Sequence, residues 1–301
     1  MPDEVIVSDL VKHYASVGAL NGVSFSVEQG RIFGLLGRNG AGKTTAIECI
    51  VGLRRPDRGS AIVHGIDAIQ SPHRARQFIG VQLQATALQD KITPREALRL
   101  FASFHKTSVP ADSLIERFFL AEKADAPFDS LSSGQRQRLA LALAIVNEPR
   151  VLFLDEPTAG LDAQSRRQLH ETILKMRTDG HTILLTTHYI EEAEELCDEI
   201  AILHRGSIVA YGTPASLVDQ QRGMSRIEFS AQNPVEEQWI RLLPSTRDVQ
   251  KCSDSWRFCT DSVAATVSAL VQKLDTEGNR LADLRVKGAG LEDVFVELTR
   301  D

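Results

Sequence analysis

Long apolar runs are missing from this sequence, and their absence restricts what the chain can do by itself. Within the 301 residues, no apolar stretch approaches the roughly eighteen residues that a membrane-spanning helix requires. No signal-peptide pattern opens the chain either. We therefore expect any role at a membrane to depend on a partner protein.

Cysteine and excess positive charge are also scarce. The four cysteines show no CxxC spacing, so we expect reduced thiols in the cytosol, although Cys252 and Cys259 could face each other across a hairpin. The net charge of -6 argues against a nucleic-acid partner, because proteins that bind nucleic acids usually carry a basic face. The length suffices for one large soluble domain and a smaller one.

A glycine-rich stretch fits the phosphate-loop pattern G-x-x-x-x-G-K-[ST]. An apolar run at residues 32–36 predicts a buried strand before it, and a helical pattern follows. The glycines allow the backbone N–H groups and the helix N-terminus to face a polyphosphate. We predict that Lys43 reaches the β- and γ-phosphates and that the Thr44 hydroxyl binds Mg²⁺. The phosphate loop consists of Gly37, Arg38, Asn39, Gly40, Ala41, Gly42, Lys43, Thr44 and Thr45.

Polar residues follow three predicted buried strands. The strand at 151–154 ends in Asp155, which suits Mg²⁺, and Glu156, which could polarise the water that attacks the γ-phosphate. A solvated turn is the alternative for these two acids. His188 follows the strand at 182–187, where it could hold that water or be purely structural. Gln84 closes the predicted strand at 79–84 and could bind Mg²⁺, orient the water or act as a hinge.

Two further candidate elements have two interpretations each. Tyr14 could stack on an adenine or pack at the edge of a sheet. Residues 131–135 read Leu-Ser-Ser-Gly-Gln and precede a predicted helix at 136–147. This stretch could bind an anion at the helix N-terminus, or it could be an ordinary serine N-cap.

Residues 85–148 predict a helical insert between strands of the main sheet. Thr93 and Glu96 form a capping-box pattern around a proline at the first helical position. The apolar stripes expected to face the core are Ala97, Leu98, Leu100, Phe101 and Phe104 in one helix, and Leu114, Ile115, Phe118 and Phe119 in the next.

Taken in order, these motifs resemble the ATP-binding cassette (ABC) ATPases of transporters over roughly residues 4–215. The resemblance implies an α/β phosphate-loop NTPase fold that binds ATP and Mg²⁺. It makes Tyr14 the adenine-stacking aromatic, Gln84 the Q-loop glutamine and a Mg²⁺ ligand, and Asp155 the Mg²⁺ aspartate. It makes Glu156 the catalytic base and His188 the switch histidine.

The resemblance also implies an assembly. Two copies would pair head to tail, with each ATP between the phosphate loop of one copy and the signature residues Ser132, Ser133, Gly134 and Gln135 of the other. Asp162 would lie in the loop between protomers. Two residues depart from the family pattern: Arg38 stands where proline is usual, and Ser133 stands where glycine is usual.

The tail around residues 211–214 and 291–299 is similar to the stand-alone ATPases of drug and antibiotic exporters. This implies a separate integral-membrane permease subunit and a location in the cytoplasm, on the inner face of the cell membrane. The alternatives are a soluble ABC ATPase of DNA repair or translation, and a regulator that binds nucleotide without hydrolysing it. Repair members carry a long coiled-coil insert and translation members carry two cassettes, and this sequence shows neither.

Residues 216–301 carry no catalytic motif and predict a small α+β domain. We expect strands at 226–230, 249–253, 256–260 and 281–286, a helix at 263–274 and a last helix from residue 291. A regulatory or dimer-supporting role and a simple packing role both remain open.

Overall fold

The computed structural model describes residues 2–15, 17–84, 88–219, 225–288 and 290–300. The chain divides into two compact units, Met1–Pro214 and Ala215–Asp301. Each unit has its own hydrophobic core. Within the described ranges, no helix is long and apolar enough to cross a membrane.

The strands of the first unit form an antiparallel sheet and a larger, mainly parallel sheet. In chain order they are β1 (Asp3–Tyr14), β2 (Val17–Glu28), β3 (Ile32–Leu36), β4 (Arg58–Val63), β5 (Ile66–Asp67), β6 (Ile79–Gln82), β7 (Val151–Asp155), β8 (Thr182–Thr187), β9 (Glu199–His204) and β10 (Ser207–Gly212). The antiparallel sheet has the order β2-β1-β4-β5, and the larger sheet has the order β10-β9-β3-β8-β7-β6.

Helices connect these strands. They are α1 (Lys43–Ile50), α2 (Pro72–Ala75), α3 (Pro94–Ala102), α4 (Ala111–Arg117), α5 (Ser133–Ala144), α6 (Ala163–Thr178) and α7 (Ile190–Leu196), and α8 (Pro214–Asp219) lies where the two units join in sequence. Short 3-10 turns occur at Ala121–Lys123 and Phe128–Ser130.

The parallel strands β3, β8 and β7 are adjacent and buried along their whole length. Their register pairs Leu36 with Thr187 and Asp155 with Thr186. The carboxyl ends of the three strands therefore lie side by side. In open α/β sheets this edge is where ligands bind.

The helical insert is present, but its apolar stripes were predicted too long. The capping box of Thr93 and Glu96 is confirmed at the start of α3. Leu100, Phe104 and Phe119 are exposed instead of packed in the core. The reason is that α3 ends at Ala102 and α4 at Arg117, so both phenylalanines lie beyond the helices that were expected to bury them.

Two predicted boundaries were also wrong. β6 ends at Gln82, so Gln84 lies outside the strand that it was expected to close. α5 spans Ser133–Ala144 instead of 136–147, because Ser132 caps its N-terminus three residues earlier than expected.

The second unit is an α+β fold built on an antiparallel sheet of order β12-β13-β11-β14. Its elements are β11 (Ser225–Ala231), α9 (Glu237–Arg241), β12 (Thr246–Cys252), β13 (Ser255–Thr260), α10 (Val263–Thr276), β14 (Leu281–Gly288) and α11 (Leu291–Leu298). The short helix α9 was not predicted. Cys252 pairs with Ser255 and Cys259 with Arg247, so the two cysteines do not face each other, and both are free thiols.

Candidate nucleotide-binding site

The phosphate loop connects β3 to α1 and fits closely against its surroundings. The Gly37 N–H donates to the Thr187 carbonyl oxygen at 3.2 Å. Gly42 has a φ of 110°, and a Cβ atom there would lie 2.4 Å from the Ala19 carbonyl oxygen. Only glycine is therefore compatible with this position. The first N–H groups of α1, from Lys43 onward, have no acceptor within the helix and are available to an anion.

The Lys43 ammonium is buried at the centre of the site. The side chain is 5% exposed, and Nζ donates to the carbonyl oxygens of Gly37 at 2.8 Å and Arg38 at 3.3 Å. It also lies 3.1 Å from Oε1 of Glu156. The loop and the end of β7 are thereby joined by one cation.

Asp155 ends β7 and is completely buried. The Thr186 hydroxyl donates to its Oδ1 at 2.5 Å, whereas Oδ2 is buried without a partner of hydrogen-bonding geometry among the described residues. Burial raises the pKa of Asp155, and the nearby Glu156 charge adds to this, while hydrogen bonds from Thr186 and Thr44 oppose it. A carboxylate under these conditions is stabilised by a cation.

These donors fit Mg²⁺. The described part of the chain contains no cluster of three or more His, Cys, Asp or Glu side chains suited to a metal. Mg²⁺ does not need one, because it is commonly held by one or two carboxylates together with substrate phosphates. The free Oδ2 of Asp155 and the Thr44 hydroxyl provide oxygen ligands of the required kind.

Glu156 lies between Lys43 and His188. Its φ of 48° is uncommon for a residue with a side chain, and its N–H donates to the Thr186 hydroxyl at 3.0 Å. The buried carboxylate places Oε2 3.2 Å from Nδ1 of His188, whose ring lies 4.1 Å from that of Tyr189. The structure thus brings Lys43, Glu156 and His188 into one contact group.

Tyr14 borders the same open cleft as the phosphate loop. The cleft has a volume of about 910 Å³, and Gln84 and the segment from Val17 to Ala19 also line it. The Lys12 ammonium and the Arg54 guanidinium lie 5.6 Å and 5.4 Å from the centre of the Tyr14 ring. Sequence reasoning missed both cations, because no motif marks them.

Gln84 borders a second opening, the signature cleft. This cleft is lined by Gln84, Leu131, Ser133, Arg136, Gln137, Ala159 and Leu161. Gln84 is exposed, and because it lines both clefts it lies where they meet.

The signature residues form the N-terminus of α5. The Ser132 hydroxyl accepts from the Gln135 N–H at 3.3 Å, and Gln135 Oε1 accepts from the Ser132 N–H at 2.9 Å. Within one chain the ordinary N-cap interpretation of Ser132 is therefore correct. Ser133 is exposed. A Cβ atom on Gly134 would lie 3.1 Å from Oγ of Ser165. Glycine thus allows α5 to approach α6 closely.

Asp162 caps α6. Its carboxylate accepts from the N–H groups of Gln164 at 3.0 Å and Ser165 at 2.9 Å, and from the Ser165 hydroxyl at 2.7 Å. The Ser165 hydrogen bonds lower the pKa of Asp162. The carboxylate thus has a local structural role, and its exposed position leaves it accessible to another chain.

Comparisons with known proteins agree with this geometry. A family profile described as ABC transporter matches residues 20–159. The Nod factor export ATP-binding protein I of Ralstonia nicotianae is 37% identical over 302 residues, covering 97% of this chain and 92% of its own length. The protein of the same name from Burkholderia thailandensis is 38% identical over 295 residues, covering 96% of this chain and 94% of its own length.

Solved structures show the same fold. The ATP-binding subunit of an ABC transporter superposes with a TM-score of 0.65 at 32% identity, covering 73% of this chain and 93% of its own. A dimeric bacterial ABC transporter cassette superposes with a TM-score of 0.64 at 24% identity, covering 69% of this chain and 98% of its own, which supports the fold alone. The chain therefore belongs to the ATP-binding subunits of ABC transporters, a family of ATPases with an α/β phosphate-loop core.

Proposed function

We propose that this chain is the ATP-hydrolysing subunit of an exporter and drives transport through a separate integral-membrane permease. The contact group of Lys43, Glu156 and His188 beside Asp155 carries this proposal, because it places a base, a cation and a metal ligand at one sheet edge. The relatives named as export ATP-binding proteins match over nearly the whole chain and support export. They favour it over DNA repair or translation.

In this proposal the phosphate loop and Lys43 hold the β- and γ-phosphates of ATP, and Tyr14 contacts the adenine. Mg²⁺ would be held by Asp155, Thr44 and Gln84, and it supplies charge neutralisation on the phosphate oxygens. Glu156 accepts the proton of the attacking water. His188, 3.2 Å from Oε2, keeps that carboxylate oriented. A regulator that never hydrolyses ATP would have no use for this arrangement.

The exposed ends of α5 and α6 face outward and are suited to a second copy. Ser132, Ser133, Gly134, Gln135 and Asp162 supply the N-termini of these two helices. A helix N-terminus carries a partial positive charge and attracts phosphate. We propose that ATP binding pairs two copies head to tail, with the γ-phosphate of one chain at the α5 N-terminus of the other.

Ser133→Gly is expected to tighten ATP-driven dimerisation and raise turnover. The exposed serine adds a hydroxymethyl group at the first residue of α5, where a phosphate of the other chain approaches. Relief of this crowding is worth about 1 kcal/mol or less, which corresponds to a gain of up to roughly fivefold. The ATPase rate should be measured against protein concentration for the wild type and the variant.

Ser103→Gly, at the end of α3, is the matched control and should match the wild type. A decrease in both dimerisation and turnover for Ser133→Gly would mean that the hydroxyl binds the phosphate. Superimposable curves would mean that Ser133 points away from the nucleotide.

The helical insert offers a surface for the permease. Phe104 and Phe119 are each 70% exposed, and Leu100 is exposed on α3. Phe119 also has a φ of 54°, a strained conformation for a bulky residue. Contiguous exposed apolar side chains are typical of an interaction site, and on this insert Phe104 also contacts the Phe101 ring edge to face. We propose that these side chains contact the permease and hold the chain at the inner face of the cell membrane.

The double variant Phe104→Ser/Phe119→Ser is expected to lose its permease while the isolated chain retains ATP binding. Candidate permeases are coexpressed with the chain, beginning with any membrane protein encoded in the neighbouring reading frame. Copurification should fall about tenfold or more, because buried aromatic side chains each contribute several kcal/mol to an interface. Leu242→Ser is the matched control, since Leu242 is 78% exposed but lies in the second unit. Equal copurification of both variants would contradict the assignment of this surface.

A further inference from the structure

A buried ion pair joins α6 to α7. His170 on α6 is 7% exposed, and its Nδ1 lies 2.9 Å from Oε2 of Glu195. Its Nε2 lies 3.4 Å from Oε1 of Glu192. Glu192 is only 1% exposed, and neither carboxylate oxygen has a hydrogen-bond partner among the described residues. A buried carboxylate without a counter-ion is strongly unfavourable, so the imidazole is the group that compensates it.

A second contact links the same two helices. Arg166 lies four residues before His170 and therefore on the same face of α6. Its guanidinium carbon is 4.6 Å from the centre of the Tyr189 ring. Tyr189 precedes α7, and its ring packs against His188. α6 thus contacts the segment that carries His188 at two points.

We propose that His170 is a positioning residue for ATP hydrolysis: its ion pair with Glu192 and Glu195 fixes α7 on α6 and so keeps His188 within reach of Glu156. The inference rests on the proposed role of His188. It also gives α6 a connecting role. The N-terminus of α6 carries Asp162, and Ser165 lies beside Gly134 of the signature residues. The same helix therefore contacts both the proposed dimer surface and the support of His188.

The charge state of His170 follows from its neighbours. Burial lowers the pKa of the ring, but the neighbouring carboxylates of Glu192 and Glu195 outweigh it, so the pKa is raised above its ordinary value of 6.5. Both glutamates belong to α7, and the charges of Glu192 and Asp198 each act on the buried Cys197 at the end of that helix. α5, which packs on α6 as well, carries the half-buried Arg138. The protonated pair is complete below pH 6.5 and is lost as the pH rises through the raised pKa.

The test uses the intact chain with ¹⁵N-labelled histidine. The sequence has eight histidines, and the signals of His188 and His170 are assigned from their absence in His188→Ala and His170→Gln. In a pH titration of the wild type, we expect His170 to titrate above pH 6.5 and the His188 signal to show an inflection at the same pH. The titration itself is carried out on the wild type, and the two variants serve only to assign the signals.

His170→Gln should abolish that inflection and lower kcat by about ten- to hundredfold, with KM for ATP changed less than about twofold, because misplacement of a catalytic group affects the chemical step. His181→Gln is the matched control. The Nδ1–H of His181 donates one hydrogen bond to the Pro149 carbonyl oxygen at 2.7 Å, and the His181→Gln variant should leave the inflection and kcat unchanged.

A His188 signal that does not respond to the titration of His170 would overturn the proposal, even if kcat falls, since that loss would reflect stability alone. Full ATPase activity of His188→Ala would instead refute the proposed role of His188. The NMR coupling would be unaffected by that result, so the two failures are distinguishable.

Discussion

Glu156→Gln is expected to keep ATP bound and to stop its hydrolysis. The amide has the shape of the carboxylate and still forms hydrogen bonds, but it does not accept the proton of the attacking water. Loss of a general base lowers kcat by about 10²- to 10⁴-fold. Glu156 lies outside the phosphate loop, and an amide oxygen in place of Oε1 can still accept a hydrogen bond from Lys43, so the loop itself is left intact. ATP affinity should therefore remain.

Stalled hydrolysis should also trap the dimer. Size-exclusion chromatography with ATP and Mg²⁺ is expected to show a stable pair of Glu156→Gln chains, while the wild type dissociates as it consumes ATP. Glu148→Gln is a close control, because Glu148 has a similar φ of 50° against 48° for Glu156, is exposed, and precedes the amino end of β7 instead of following its carboxyl end. A monomer at saturating ATP would argue against the head-to-tail pair, and wild-type turnover would remove Glu156 from the mechanism.

The convergence of the site residues was predictable from the sequence because parallel strands share one edge. The runs that became β3, β7 and β8 are followed by the phosphate loop, Glu156 and His188, and adjacency of the strands places these together. The glycine pattern of the phosphate loop predicted that the ligand carries a polyphosphate. Neither step required knowledge of side-chain contacts, and the family comparisons confirm the resulting fold.

Element ends were less predictable. Apolar periodicity extended the insert helices to Phe104 and Phe119, although the chain leaves the helical conformation before both. At α5 a local signal was present: Ser132 and Gln135 have the spacing of a capping box, which places the helix start at Ser133. The serine N-cap was one of the two interpretations of this stretch, but the predicted helix began at residue 136, three residues too late.

Contacts between distant positions could not be read from the sequence. The pair of His170 and Glu192 joins two helices across 22 positions without any motif, and each residue alone is typical of an exposed helix face. The suggestion that Cys252 and Cys259 could face each other across the hairpin was wrong for a related reason. A register irregularity between Arg247 and Gln250 and a tight turn place Ser255 opposite Cys252. Register depends on turn geometry that spacing does not reveal.

Lys43→Ala is expected to abolish tight ATP binding and turnover. Nζ is the cation held against the phosphate loop, and a hydrogen bond to a charged group contributes about 1.5–3 kcal/mol, so affinity should fall by roughly tenfold to 150-fold. The change also leaves Glu156 without its ionic partner at 3.1 Å, which adds a defect in the base.

Lys12→Ala is the matched control, since Lys12 lies at the same cleft beside Tyr14, paired with Asp57 at 3.0 Å. Nucleotide affinity and ATPase rate should be measured for both variants and the wild type. If Lys43→Ala retains wild-type values in both, the phosphate loop does not bind the phosphates, and equal losses in both variants would reduce its role to general positive charge.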